Sequence, residues 1–209
     1  MVTESASCPG CKTAVTIVSG LPRSGTSLVM NMLQNGGLSV ACDQHRKPDI
    51  DNPQGYFELE KVKKIYEDAS FIARYRGMAV KVVSPLLKYL PMDETYKIVF
   101  VQRRLKEVMI SQKKMEQRIC GKKCADLDDD VLERAFQNHL SDVNKWFSEV
   151  NVSVLRIWYH NLVASPLENA QILAEYFDFP LDCQKMSAVV RTDLYRSHTT
   201  LQDNRKINL

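Results

Sequence analysis

Residues 15–34 read VTIVSGLPRSGTSLVMNMLQ, and this stretch changes character twice along its length. It begins with an apolar run rich in β-branched residues, which is typical of a buried parallel strand. A segment bounded by Gly20 and Gly25 follows. From Leu28 onward apolar residues recur every four positions until Gly36 and Gly37, which indicates a helix that ends there. The stretch therefore predicts a strand, a tight loop and a helix.

The predicted loop has the chemistry of an anion-binding site. Its two glycines allow successive backbone N–H groups to point inward, and the following helix adds the positive end of its dipole. The hydroxyls of Ser24, Thr26 and Ser27 can donate hydrogen bonds, and Arg23 offers a planar charged fork. We expect this loop to bind a phosphate or sulfate group.

The loop also departs from a known pattern at one position. Its spacing matches a P-loop, but Thr26 stands where the Walker lysine belongs, and the nearby cation is Arg23. Nucleoside triphosphatases use that lysine on the β- and γ-phosphates, so its replacement argues against an ATPase or GTPase. A plain glycine-rich turn is the alternative, and the PRSGTS sequence disfavours it.

PRSGTS after a hydrophobic strand resembles the 5′-phosphosulfate loop of sulfotransferases that use 3′-phosphoadenosine 5′-phosphosulfate (PAPS). The arginine form is similar to that of tyrosylprotein and many bacterial sulfotransferases. The resemblance implies PAPS as co-substrate, bound through five loop residues, namely Arg23, Ser24, Gly25, Thr26 and Ser27. It also implies that Arg23 takes part in catalysis by holding the transferred group and the leaving 5′-phosphate.

A second motif follows the apolar strand pattern at residues 97–101. Arg103 lies just after it, and Ser111 comes eight residues later on a predicted helix, so both side chains can reach one phosphate. Sulfotransferases resemble this arrangement, which in them binds the 3′-phosphate of PAPS, although Arg104 and Leu105 replace the usual Asp-Pro here. The alternative is a pair of surface arginines. ATP has no 3′-phosphate, so two anion sites on neighbouring strands favour PAPS over a nucleoside triphosphate.

A third and partial match covers residues 154–166, VLRIWYHNLVASP. It resembles the family's strand, Tyr-Glu-Asp-Leu segment and proline-started helix, with His-Asn in place of Glu-Asp. The resemblance implies that Tyr159 lies near the adenine, and ordinary packing is an equally supported role. Arg191 or Arg196 could replace the basic C-terminal segment of animal cytosolic members.

The acceptor hydroxyl or amine would benefit from a base, an effect typically worth ~10²–10⁴-fold in rate. In the arginine-loop branch of the family this base is a glutamate just after the second strand. The matching region here is residues 43–45, so the resemblance implies Asp43 first and His45 second, with Glu58 or Glu60 third. A turn or cap role is the alternative for each.

Composition limits the classes of function. The chain has 209 residues, 44% hydrophobic and 25% charged, which is ordinary for a globular domain. A net charge of +3 gives no broad field for nucleic acid. No apolar run is long enough to span a bilayer, and residues 1–13 lack a signal-peptide core. We expect a flexible leader, a cytoplasmic location, and a small-molecule or carbohydrate acceptor as partner, with no nucleic acid or membrane.

Six cysteines allow several interpretations. Cys8 with Cys11, and Cys120 with Cys124, have spacings that would suit a structural zinc or a redox pair. In a reducing compartment ordinary thiols are favoured over disulfides. We therefore include no metal in the predicted site.

The rest of the chain alternates strand and helix patterns. Strands are expected at 38–41, 78–83, 97–101 and 152–158, and helices at 56–70, 85–90, 105–117, 129–150 and 166–177. This alternation predicts one α/β domain over residues 14–209, a P-loop-type parallel sheet of about five strands covered by helices on both faces. The predicted function is a PAPS-dependent sulfotransferase. The alternatives are a P-loop kinase using ATP–Mg²⁺ and a non-catalytic phosphoadenosine-binding relative.

Overall fold

A computed structural model of the chain describes residues 14–43, 48–50, 52–120, 128–150, 152–177 and 180–195. Within this part, five parallel strands form one sheet in the order β2-β3-β1-β4-β5. The strands are β1 (Ala14–Gly20), β2 (Val40–Ala41), β3 (Ala79–Lys81), β4 (Thr95–Gln102) and β5 (Ser153–Trp158). The predicted parallel α/β sheet is confirmed.

Helices cover both faces of this sheet. They are α1 (Thr26–Asn35), α2 (Leu105–Cys120), α3 (Asp129–Glu149), α4 (Tyr159–Ala164), α5 (Pro166–Phe177) and α6 (Cys183–Ala188). Side chains of β1 and β4 alternate between two buried clusters: Val18 and Val99 pack with α1, α4, α5 and α6, whereas Ile17 and Ile98 pack with α3 and short 3₁₀ segments. The central strands are apolar on both faces, as the sequence pattern predicts.

The strand order fixes where a ligand can bind. From β1 the chain moves to β2 and β3 on one side, then crosses to β4 and β5 on the other, so β1 is the point where the order reverses. Open parallel sheets bind ligands at the carboxyl ends of strands beside such a point. Gly20 is in register with Val101, so the loop after β1 and the segment after β4 leave the sheet at the same edge.

The helix expected over residues 56–70 is wrong. Residues 56–59 have no helical structure, and two 3₁₀ segments follow, Glu60–Lys64 and Ser70–Tyr75. The buried residues Leu59, Val62 and Ile65 recur every third position. Three residues is the period of a 3₁₀ helix, whereas the expected α-helix has a period of 3.6 residues.

Other elements differ mainly in length. The short helix expected at 85–90 is a 3₁₀ segment, Ser84–Tyr89, and β2 and β3 are shorter than expected. The apolar stripe expected along α3 is buried only at Val143 and Phe147. The expected leader and most of the polar segment at 120–130 lie outside the described residues. Among the helices that are described, none combines the length and apolarity needed to cross a membrane.

Candidate functional site

The loop between β1 and α1 has the backbone of an anion cradle. Arg23 and Gly25 both have positive φ angles, of 70° and 104°. A β-carbon added at Gly25 would lie 2.3 Å from Cδ2 of Tyr159, so glycine is required both for the φ angle and for space. The first turn of α1 then presents backbone N–H groups that a helix leaves without internal acceptors. The loop conformation is therefore compatible with an anionic ligand.

A cavity of about 470 Å³ lies beside this loop, at the carboxyl edge of the sheet. It is lined by the loop, by residues 52–58, by the end of β3, by one face of α2 and by residues 191–194. Its charged lining residues, among those the structure describes, are Arg23, Glu58, Lys81, Arg103, Lys114, Arg118 and Arg191. Six cations and one carboxylate give the cavity a positive field that attracts an anionic ligand.

The two sequence motifs meet inside this cavity. Nε of Arg23 donates a hydrogen bond to Oγ of Ser111 at 3.1 Å. Nη1 of Arg103 donates to the carbonyl oxygen of Arg23 at 3.0 Å. Sequence reasoning expected the motifs on neighbouring strands, and the structure joins them directly by hydrogen bonds. One ligand can therefore contact both.

The remaining loop residues differ in their placement. Thr26 and Ser27 line the cavity, and Oγ of Ser27 donates to the carbonyl oxygen of Tyr56 at 3.2 Å. Ser24 does not line it. The Ser24 side chain is buried beneath the loop near Gly20, and no hydrogen-bond partner for its Oγ occurs among the described residues. The expected ligand contact of Ser24 stays a prediction.

Tyr159 closes the cavity over the loop. Its ring packs on Gly25, contacts Tyr195 edge to face with 5.2 Å between centroids, and lies 4.5 Å from the guanidinium of Arg103. Burial raises the pKa of the Tyr159 hydroxyl, so the phenol stays neutral near pH 7. A neutral ring at this point is suited to packing against a planar ligand group.

Lys81 is a site residue that sequence reasoning missed. It ends β3 and is buried, yet its Nζ reaches the carbonyl oxygen of Tyr56, Oγ of Ser27 at 3.3 Å and a carboxylate oxygen of Glu58 at 3.3 Å. The signal was present in the sequence, because a lysine inside the apolar run MAVKVV must find polar partners when the strand is buried. The apolar pattern of that run by itself predicts only the strand.

The candidate bases occupy different positions. Oδ2 of Asp43 accepts the backbone N–H of Glu60 at 2.5 Å, and Asp43 is not among the residues that line the cavity. His45 lies outside the described residues. Glu60 is exposed and pairs with Lys63 at 2.8 Å. Glu58 lines the cavity beside Lys81.

The segment at 189–195 forms the last side of the cavity. Nε2 of Gln54 donates to the carbonyl oxygen of Val189 at 2.7 Å, and Arg191 and Leu194 line the cavity. Arg196, the other basic residue proposed from the sequence, lies outside the described residues.

In the described part of the chain, no three His, Cys, Asp or Glu side chains lie close enough together to hold a metal ion. Cys42 and Cys183 are free thiols. The side chains of Cys8, Cys11, Cys120 and Cys124 lie outside the described residues, so the zinc alternative stays an expectation.

Comparison with solved structures identifies the fold. The sulfotransferase domain of the Synechococcus PCC 7002 olefin synthase superposes with a TM-score of 0.50 at 13% identity, covering 95% of this chain and 93% of that chain. A sulfotransferase from Mycobacterium avium gives 0.49 at 12% identity, covering 91% of this chain and 69% of that chain. No family model matches the sequence, and no curated protein does either. The likeness to the olefin synthase domain shows that the chain has an α/β fold that matches the P-loop-type fold of that sulfotransferase domain.

Proposed function

We propose that the chain is a sulfotransferase that transfers the sulfuryl group of PAPS to a hydroxyl or amine of a small-molecule or carbohydrate acceptor. The observation that carries the proposal is the contact between the two anion motifs. Arg23 of the loop and Arg103 with Ser111 after β4 share one cavity within hydrogen-bond distance of each other. A donor with phosphate at two ends needs both motifs, whereas ATP would use only the first.

The residues of the cavity fit such a donor. The N–H groups at the start of α1 and the Arg23 guanidinium suit the phosphosulfate end, where fixed donors stabilise developing negative charge. Arg103 and Ser111 suit the 3′-phosphate, and Tyr159 supplies a neutral ring for the adenine. Lys114 and Arg118 continue the basic face of α2 beyond Ser111 and add to the attraction for an anion.

Transfer would form a bond between the acceptor oxygen or nitrogen and sulfur. The bond between sulfur and the bridging oxygen breaks, and adenosine 3′,5′-bisphosphate leaves with that electron pair. Arg23 and the loop N–H groups stabilise the charge on the leaving phosphate. Lys81, held by Ser27 and Glu58, is suited to stabilise the sulfuryl oxygens.

The acceptor proton needs a base within reach of the cavity. The sequence resemblance favours Asp43, and that assignment stays a prediction. We propose Glu58 as the stronger candidate because its carboxylate lines the cavity, whereas a carboxylate oxygen of Asp43 accepts a backbone N–H at the start of a 3₁₀ segment. Either group would take the proton as the new bond forms.

Binding calorimetry tests the donor. The full-length protein would be titrated with adenosine 3′,5′-bisphosphate and with ATP–Mg²⁺, as wild type and as Arg103→Ala. We expect the bisphosphate to bind more tightly, and Arg103→Ala to weaken it by about 10- to 100-fold, the range for loss of a charged hydrogen bond. Preference for ATP–Mg²⁺ with no effect of Arg103→Ala would overturn the proposal in favour of a kinase.

Two further variants keep this test decisive. Ser111→Ala removes one phosphate contact and leaves the Arg103 side chain in place, so it still reports on the site if Arg103→Ala folds poorly. Arg156→Ala is the matched control, because Arg156 lies on β5 against Phe147 and Asn144, away from the cavity. It should bind the bisphosphate as wild type does.

Activity separates an enzyme from a binding module. Release of adenosine 3′,5′-bisphosphate from PAPS would be followed with p-nitrophenol, 2-naphthylamine and N-acetylglucosamine as acceptor probes. Acceptor-dependent release supports a transferase. Tight bisphosphate binding without release for a broader acceptor set would support a non-catalytic relative.

A further inference from the structure

A buried carboxylate that takes no part in the proposed chemistry lies next to Arg103, on the same helix as Ser111. Glu107 lies on the first turn of α2 and is 1% exposed. Its oxygens accept hydrogen bonds from Nε of Arg103 at 3.1 Å and from Oη of Tyr195 at 2.8 Å, and Nη1 of Arg104 lies 3.5 Å away. A carboxylate buried to this extent destabilises the folded protein unless it is paired. We therefore ask what structural or functional role these pairings serve.

The cluster determines how Arg103 is presented. Glu107 binds the Nε edge of the guanidinium, and the Arg23 carbonyl oxygen accepts from Nη1. The guanidinium also lies 4.5 Å from the ring centroid of Tyr159 and 5.4 Å from that of Tyr195. An arginine held on an edge and by two aromatic rings loses little further freedom when it binds a ligand, which favours affinity.

Tyr195 connects this cluster to the last segment of the described chain. Burial and the neighbouring Glu107 carboxylate raise the pKa of Tyr195 to about 12, so its hydroxyl remains a donor across the neutral range. Tyr195 ends the segment at 189–195, which is also held through the carbonyl oxygen of Val189. The Glu107 carboxylate thus links the start of α2 to Arg103 and, through Tyr195, to residues 189–195, which lie far away in the sequence.

We propose that Glu107 is a positioning residue, which fixes Arg103 for the 3′-phosphate of the donor and, through Tyr195, fixes residues 189–195 over the same cavity. This inference rests on the proposed function, since it assigns Arg103 to the 3′-phosphate. Glu107 itself contacts no ligand in this scheme. Its effect is specific to ligands that carry the phosphate bound by Arg103.

The test is the difference in affinity between adenosine 3′,5′-bisphosphate and adenosine 5′-monophosphate, measured calorimetrically. Glu107→Gln keeps the side-chain size and removes the charge that orients Arg103. We expect it to weaken bisphosphate binding by about tenfold or more, the scale of a charged hydrogen bond, and to leave the monophosphate unchanged. Tyr195→Phe retains the Glu107 charge and should lower bisphosphate affinity by a smaller factor.

A simple electrostatic role predicts the opposite sign. If Glu107 only neutralised Arg103, Glu107→Gln would leave a more positive cavity and would tighten bisphosphate binding. Unchanged or tighter binding in Glu107→Gln therefore overturns the inference. In an Arg103→Ala background, Glu107→Gln should have no further effect on the affinity difference, because neighbours that act through one group are not additive.

Controls separate this inference from the proposed function and from general destabilisation. Glu149→Gln removes another glutamate of an i, i+4 pair, with Lys145 at 3.9 Å, and Tyr176→Phe removes a hydroxyl bound to the Ser153 carbonyl oxygen at 2.7 Å. Neither should alter nucleotide binding.

If wild type does not distinguish the bisphosphate from the monophosphate, the proposed function fails. If wild type distinguishes them and Glu107→Gln does so equally well, only the inference fails. If Glu107→Gln does not fold, Tyr195→Phe decides in the same way.

Discussion

Two walls of the same cavity are built in different ways. The donor wall, which we define as residues 20–27 with Arg103 and Ser111, stands where two regular strands end and two helices begin. The opposite wall, which we define as residues 52–60 with Lys81 at the end of β3, is irregular backbone with a turn and the beginning of a 3₁₀ segment over residues 52–60. The donor wall is positioned by the sheet itself, whereas the opposite wall depends on particular side chains.

The two walls are joined at the backbone of Tyr56. The carbonyl oxygen of Tyr56 accepts hydrogen bonds from Oγ of Ser27, in the donor wall, and from Nζ of Lys81. Both oxygens of Asp49 lie within 2.8 Å of the Tyr56 hydroxyl, which holds the same residue from its other end. Hydrogen bonds to Tyr56 therefore attach the irregular wall to the regular one. Of the side chains that donate them, Lys81 is the one that carries a charge suited to the proposed reaction.

The largest effect is expected from Gly25→Ala, which breaks the donor wall. A positive φ angle costs ~1–2 kcal/mol for an L-residue, and overpacking costs another ~1–3 kcal/mol. When all of this strain opposes the loop conformation that binds the ligand, affinity for the PAPS-type donor falls by roughly 30- to several-thousand-fold. The overpacking arises because the new methyl would lie 2.3 Å from Tyr159. Calorimetry with adenosine 3′,5′-bisphosphate measures the loss.

Gly37→Ala is the matched control for that change. Gly37 has a φ of 103°, but a β-carbon there would meet nothing within 4 Å. This variant carries the backbone strain without the collision, so it should lower stability slightly and leave affinity unchanged. Equal nucleotide affinity in Gly25→Ala and wild type would contradict the requirement for glycine in the loop.

Lys81→Met should have the next largest effect and tests the opposite wall. Loss of one fixed donor at a site of developing charge typically costs ~10²–10³-fold in turnover. Bisphosphate affinity should change less, because the anion-binding groups of the donor wall are unchanged in this variant. PAPS turnover with the three acceptor probes gives the comparison.

Lys97→Met is its control. Lys97 is also a strand lysine bound to carbonyl oxygens, those of Phe177 at 3.0 Å and Tyr176 at 3.4 Å, but it does not line the cavity. It should retain turnover. A loss of turnover in both variants would mean that Lys81 acts through stability alone.

Glu58→Gln tests which acidic residue of the opposite side is the base. We expect turnover to fall by roughly 100-fold, near the low end for a general base, with bisphosphate affinity retained. Asp43→Asn is the direct comparison and should have the smaller effect on turnover. The reverse order would return the role to Asp43, the residue that the sequence resemblance favours.

How much the sequence could predict also differs between the walls. The donor wall follows from local patterns, because a β-branched strand, a glycine-rich turn and the eight-residue spacing of Arg103 and Ser111 each determine their own geometry. The parallel sheet follows from the same alternation of strands and helices. The opposite wall was not predicted, because the α-helix expected from residue 56 onward is irregular backbone up to residue 59 and a 3₁₀ segment from Glu60. The contacts of Lys81, and of Tyr195 with Glu107 across 88 residues, arise only in the tertiary structure.

The smallest effect is expected from pH, and it involves the segment that follows Lys81 in the chain. Ser84 begins the 3₁₀ segment that follows Lys81, and its Oγ lies 2.8 Å from Nε2 of His139 on α3. Burial lowers the pKa of His139, while Asp142 opposes that shift and Lys88 adds to it. The unfolded chain therefore takes up a proton before the folded one does, so the stability contributed by the neutral ring is complete above the ordinary histidine pKa and is lost as pH falls below it.

His139→Gln removes the titrating ring and keeps an amide within reach of Ser84. Urea unfolding at pH 7.5, 6.5 and 5.5 should show a shallower decline in the free energy of unfolding for this variant than for wild type. His160→Gln is the comparison, since burial also lowers the pKa of His160, but that ring lies beside Trp158 at the end of β5. Because Ser84 begins the segment directly after Lys81, we expect wild type below pH 6.5 to lose turnover with PAPS earlier than bisphosphate binding. His139→Gln should delay the loss of turnover, whereas His160→Gln should not. If turnover and binding decline together in all three proteins, the two walls do not respond to pH independently.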